Sequence, residues 1–272
     1  MKNDLKDYHV HPDYSIDAKG SIEQYCQKAL EIGIKEICFT PHYDTDPIRK
    51  EVDAYMRVNG KLVNLTDDVV RTYIDDVHKA KKKYAPFGLS VKAGLEVDYA
   101  LHIEESLREK LPQFELDYIL GAVHCLQHIA ITSTGESEKY FKGKTVEEVC
   151  QEYFHALSNA VSSKLFKTMA HLDSYKIYGT KFCGEEILLA HRGLIEPVLK
   201  LMAQNEVGIE INTSSLRKGQ KEVSPGIEIL NMARKFNVKV NAIGSDAHKV
   251  EDLGKDLDLA KTLAQDIFGD IQ

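Results

Sequence analysis

Apolar residues come in two alternating rhythms along this chain. Short runs of strand length occupy residues 8–10, 36–40, 90–97, 118–123, 167–170, 208–211 and 239–243, and stretches of helical period occupy 21–31, 66–84, 103–111, 145–162, 185–204, 224–236 and 256–268. Strand and helix succeed one another from end to end, the order expected of β/α units around a parallel sheet. Ser21, Thr66 and Thr145 stand where N-caps belong, and the acids Asp67, Asp68, Glu147 and Glu148 suit the helix starts that follow. Seven strands predict a distorted (β/α)7 barrel, a single α/β domain over 1–272, with an open doubly wound sheet as the alternative. Neither G-x-G-x-x-G after the first strand nor G-x-x-x-x-G-K-[ST] occurs, so the nucleotide fingerprints of the open sheet are missing. Residues 43–65 and 126–144 are irregular, and both follow strands. In a parallel barrel such loops overlie the C-terminal face, where ligands bind.

Composition narrows the partners. The chain has 272 residues, with 35 Lys+Arg against 42 Asp+Glu for a net charge of −7. That is enough chain for one large core. An acidic balance argues against a nucleic-acid groove or an anionic membrane face, which recruit clustered Lys and Arg. No apolar run approaches the ~20 residues of a membrane span, and Met1 to Asp7 lacks the apolar segment of a leader, so a cytoplasmic protein is expected. Cys26, Cys38, Cys125, Cys150 and Cys183 are odd in number and form no C-x-x-C pair, which reads as thiols in a reducing compartment. Cys125 follows His124 directly, but a strand running into a loop is an ordinary place for a small apolar residue.

The ends of the strands carry the chemistry. They read His9-Val10-His11, Thr40-Pro41-His42, Gly94-Leu95-Glu96, Val123-His124, Ala170-His171 and Gly244-Ser245-Asp246-Ala247-His248. Alternation along an extended strand puts His9 and His11 on one side, where one ion could take both. Imidazole and carboxylate groups converging on the C-terminal rim suit Zn, Mn or Fe. Glu96 lies among Val91, Ala93, Leu95 and Val97, where an unpaired carboxylate would be costly to bury. Its two oxygens could instead bridge two ions. His78, His102, His128, His155 and His191 fall in helical or loop contexts.

In order, these motifs resemble those of the polymerase and histidinol phosphatase (PHP) superfamily. The similarity to its histidinol-phosphatase branch runs through His9-Val10-His11-Pro12-Asp13-Tyr14-Ser15-Ile16-Asp17, Gly94-Leu95-Glu96-Val97-Asp98-Tyr99, Asn212-Thr213-Ser214-Ser215-Leu216-Arg217-Lys218-Gly219 and Gly244-Ser245-Asp246-Ala247-His248. The resemblance implies a barrel holding three divalent ions: one on His9, His11, Glu96 and Asp246, a second on Glu96, His124 and His171, and a third on Asp17, His42 and His248. It implies hydrolysis of a small phosphate monoester, L-histidinol phosphate first among them, by a water shared between the two ions that Glu96 bridges. His248 or Asp246 would help the leaving alkoxide, and Arg217 would contact the phosphate. The branch often carries another arginine after the fifth strand, where this chain has Ile177, with Lys176 beside it as a point charge. Other readings are a phosphatase for a nucleotide monophosphate, an amidohydrolase-like metalloenzyme, and a metal-dependent binding module. No strand-end Lys stands in the rim set to serve the second of these, and Arg217 is superfluous to the third.

Overall fold

Apolar strand-length segments pair edge to edge in the order of the sequence. The computed structural model describes residues 5–269; Met1 to Asp4, part of the stretch in which a leader would lie, are outside them. Strands β1 (Leu5–Val10), β2 (Ile34–Phe39), β3 (Ser90–Asp98), β4 (Tyr118–Ala122), β5 (Thr168–Met169), β6 (Gly208–Asn212) and β7 (Val240–Gly244) are all parallel, each bonded to the next. Parallel strands need crossovers, and helices supply them on the outside of the sheet. The helix Ile22–Ile32 is capped by Ser21 and stopped by Gly33 in the left-handed conformation, while Asp67–Tyr84 and Val146–Ser162 are capped by Thr66 and Thr145. Each buries one stripe, such as Val70, Tyr73, Ile74 and Val77. Tyr73 is fully buried, and its hydroxyl donates to the carbonyls of Phe39 (2.8 Å) and Gly94 (2.9 Å), fastening a crossover helix to β2 and β3.

The barrel closes at its rim. Beyond the last rungs of β7 and β1, Asp246 N–H donates to His9 O (2.7 Å) and His11 N–H to Ala247 O (2.9 Å), with a parallel bridge between Val10 and Ala247. This seam makes a nearly closed barrel rather than the open sheet. The β1/β2 register shifts between Asp7 and Val10. Such irregularities re-aim side chains, and here His9 lies within the shift. A short strand, His42–Tyr43, continues along β3 and sets His42 opposite Glu96.

The structure departs from the sequence pattern in several segments. The helix expected over 185–204 is divided into a 3-10 turn, Glu185–Leu188, and a helix, Ile195–Gln204. Pro197 is the reason: it has no N–H and fits only the first helical turn. The helix Lys176–Cys183 is only weakly amphipathic, so the apolar pattern does not predict it. The two irregular loops also contain structure. Residues 43–65 hold a hairpin, Tyr55–Val58 with Lys61–Asn64, turned by Asn59-Gly60 with both φ angles positive, and 126–144 hold the helix Ser137–Phe141. No helix is long and apolar enough to cross a membrane among the described residues.

Candidate metal centre

The carboxylate of Glu96 is the hub of the rim. Its side chain is 1% exposed, and five imidazoles face it: His171 Nε2 at 2.8 Å, His42 Nδ1 at 3.0 Å, His9 Nε2 and His124 Nε2 at 3.3 Å, and His11 Nε2 at 3.4 Å. Each reaches it from a different strand end or from the turn of chain beyond it, so no two neighbours in sequence except His9 and His11 share a position. Those two rings lie on one side, Nε2 to Nε2 at 3.0 Å, as alternation predicts. Asp246 Oδ1 completes the deep end, 3.4 Å from His11 Nε2 and 3.7 Å from His9 Nε2. Asp246 sits at φ 52°. Aspartate tolerates that left-handed backbone.

The cluster runs from dry to wet. His9 and His11 are fully buried. At the mouth, Asp17 Oδ2 stands 3.6 Å from His42 Nε2 and 3.5 Å from His248 Nε2, with the Asp17 side chain 55% exposed. Thus all nine rim residues that the sequence points to, His9, His11, Asp17, His42, Glu96, His124, His171, Asp246 and His248, come together. Three triads bring their donor atoms within 4.8 Å of one another: His9, His11 and Glu96; Glu96, His124 and His171; and His11, His42 and His248.

Electrostatics show what the cluster demands. Burial works against ionisation of Glu96, yet His9 and His124 hold its carboxyl well below the usual range. Asp246 is held low in the same way, by Lys218 and His9 against burial. Burial, then repulsion from His248 and His42, pushes His11 well below the ordinary imidazole value, leaving it neutral. His9 and His42 go the other way: burial opposes them, but Glu210 and Glu96 raise His9, and Asp17 raises His42. Ionised carboxylates and a bare imidazole lone pair therefore point at common space. Protonated imidazoles or a bound cation can balance that arrangement, and the mixture of nitrogen and oxygen donors suits a borderline divalent ion.

A supporting layer escapes the strand-end pattern. Nδ1 of His9 donates to Glu210 Oε1 (2.6 Å), which leaves Nε2 free to face the cluster. His11 Nδ1 lies 3.0 Å from Ser15 Oγ, and Asp98 accepts the His124 backbone N–H (2.6 Å). Ser214 Oγ donates to Asp246 Oδ2 (2.7 Å). Asp44 joins His42 and His124 in a further group of donors. Ser15, Asp98 and Ser214 lie within the motifs quoted above, whereas the signal of Glu210 is that it is the one acid inside the apolar run Gly208–Asn212.

The two substrate-binding candidates separate. Arg217 is anchored through Nη2 to the carbonyl of Ser245, beside Asp246, and its Nη1 is buried without a protein partner. Lys176 turns to Asp173 (2.9 Å) and lines a cavity of about 380 Å³ together with Ile177, His191 and Gln220; none of the nine rim residues lines it. Cys125 is a free thiol, pushed far up by burial and by Asp98, which suits a packing residue and not a nucleophile.

A barrel whose C-terminal rim gathers imidazoles and carboxylates around one glutamate defines a class of metal-dependent hydrolases. The chain belongs to the PHP domain family, whose pattern matches residues 7–214. It is 27% identical over 250 residues to the "Probable histidinol-phosphatase" of Deinococcus radiodurans, covering 92% of this chain and 88% of that protein. It is also 27% identical to the "Histidinol-phosphatase" of Bacillus subtilis, over 92% of this chain and 95% of the relative. Its fold matches the crystal structure of histidinol phosphate phosphatase from Lactococcus lactis subsp. lactis complexed with zinc, L-histidinol and phosphate, with a TM-score of 0.77 at 20% identity, covering 97% of this chain and 93% of that one.

Proposed function

We propose that this protein is a metal-dependent phosphomonoesterase that hydrolyses L-histidinol phosphate to L-histidinol and phosphate, a step of histidine biosynthesis. The observation that carries the reading is the convergence of five imidazoles on the buried carboxylate of Glu96. Relatives named histidinol-phosphatase, similar along nearly their whole length, support the choice of substrate.

Three divalent ions are assigned to the cluster, zinc, manganese or iron in kind. His9, His11, Glu96 and Asp246 would hold one; Glu96, His124 and His171 a second; Asp17, His42 and His248 a third. Bound there, such ions supply Lewis acidity, giving a water nucleophile at neutral pH and offsetting charge on the phosphoryl oxygens. The chain's residues do the rest. Glu210 and Ser15 orient the rings of His9 and His11 from behind, so no reorganisation is needed on binding. Arg217 offers its unpartnered Nη1 to a phosphate oxygen while Nη2 stays on the Ser245 carbonyl. His248 and Asp246 stand together at the open mouth (Nδ1 to Oδ1 3.3 Å), and either would help the leaving alkoxide. Lys176 and Asp173 order the chain after His171; a role for Lys176 on phosphate requires that pair to open. Five free cysteines suit a reducing cytoplasm.

The test is steady-state phosphate release from L-histidinol phosphate and from a nucleotide monophosphate, after Zn²⁺ or Mn²⁺ is returned to metal-depleted protein. The expected result is a preference of about 100-fold or more in kcat/KM for L-histidinol phosphate. Release from the nucleotide alone would keep the chemistry and replace the substrate, and release from neither would remove the reading.

A further inference from the structure

A second group of metal-binding side chains lies on the same rim and shares no residue with the centre. Asp46, His102 and His128 each follow one of its members along the chain: Asp46 comes after His42, His102 after Glu96 and His128 after His124. The loops leaving β2, β3 and β4 bring them together. His102 Nε2 is 2.9 Å from Asp46 Oδ1, and His128 Nδ1 is 2.6 Å from Asp46 Oδ2. The two rings meet edge to face with centroids 4.9 Å apart, and one donor atom from each of the three residues lies within 4.8 Å of the others.

The backbone is held for this arrangement. His128 occupies the turn of a tight hairpin, Cys125–Leu126 with Ile129–Ala130, in which Gln127 (φ 52°) and His128 (φ 62°) are both left-handed. That turn favours Asn-Gly, and a Gln-His pair there stores strain. Strain of this kind persists only where surroundings fix it. Arg49 does so: buried at 6% exposure, it donates through Nη1 to the His128 carbonyl (2.7 Å) and to Glu136 Oε2 (2.8 Å). Asp46 is fixed too, since Oδ1 accepts the Ile48 backbone N–H (2.9 Å). The carboxylate is nearly buried, while the imidazoles are 41% and 38% exposed and free to spread around an ion.

We infer that Asp46, His102 and His128 form a separate rim site for a zinc-like divalent cation, which ties together the three loops over the centre. Two imidazoles and one carboxylate are the ligand set of an open zinc site, with water in the remaining position. The opening toward solvent predicts weaker binding than in the buried centre, and ready exchange.

The test compares metal content. Wild-type protein, the His102→Gln/His128→Gln pair and Asp46→Asn are equilibrated with the same micromolar free Zn²⁺, and bound zinc per chain is measured by elemental analysis. The expected result is one zinc fewer per chain in both variants than in the wild type, with far-ultraviolet circular dichroism unchanged. Equal zinc content in wild type and either folded variant would overturn the site, and the wild type binding zinc only at the centre's stoichiometry in a calorimetric titration would do the same. Phosphate release from L-histidinol phosphate by the same preparations reports on the centre separately, so either assignment can fail without the other.

Discussion

Glu210 and His9, from β6 and β1, meet beneath the rim with Oε1 2.6 Å from Nδ1, and neither side chain is exposed. A ring that donates through Nδ1 to a carboxylate is locked in one tautomer, and its Nε2 becomes a stronger ligand. Glu210→Gln keeps the shape but removes the charge. Metal affinity of the centre should fall about 10–100-fold, with activity restored by excess Zn²⁺. A chelator-competition titration measures this, and an unchanged affinity would show that Glu210 only fills space.

Gly244 stands where that pair passes. A Cβ there would come 2.4 Å from His9 Cβ and 2.5 Å from Glu210 Oε1. Gly244→Ala should therefore destabilise the fold by about 1–3 kcal/mol and displace His9 from the cluster. Denaturant unfolding reads the first effect and bound metal per chain the second.

Arg217 is anchored through Nη2 on the carbonyls of Ser245 and Asp246, has Nε 3.8 Å from Asp252 Oδ2, and leaves Nη1 for a ligand. Replacing it by alanine should lower kcat/KM for L-histidinol phosphate by about 10–100-fold, the worth of a hydrogen bond to a charged group. Lysine should recover only part, because a point charge lacks the fork. Bound metal should stay the same in both variants; a loss of metal would mean that Arg217 works by supporting Asp246.

Removing metal should weaken the fold as well as the activity. Without a cation, the ionised Glu96 and Asp246 converge on the bare nitrogen of His11 in a buried space and depend on protonated imidazoles such as His9 for their neutralisation. Ligand-linked stabilisation reaches about 4 kcal/mol at a thousand times the dissociation constant, which for a domain of this size raises Tm by about 10 °C. Scanning calorimetry of chelated and zinc-restored protein should show that difference, and coincident transitions would argue against a metal centre.

Most of the rim is legible in the order of residues alone. His9 and His11 share a side because a strand alternates, and Ser21, Thr66 and Thr145 begin helices because their oxygens satisfy free backbone N–H groups. Other local signals are just as present but are masked by their surroundings. Asn59-Gly60 turns a hairpin inside a stretch too polar to look like strand, and Pro197 starts a helix inside a longer run of helical period.

Local chemistry thus determined which residues end each strand and which donor atoms they carry, since backbone period and side-chain type act over a few residues. Closing the sheet settled the rest. That His9 O takes the Asp246 N–H, that Glu210 lies behind His9, and that Asp46 gathers His102 and His128 all depend on parts of the chain far apart in sequence. No local rule constrains such pairs, because their distances follow from barrel curvature and from the paths of loops anchored at both ends.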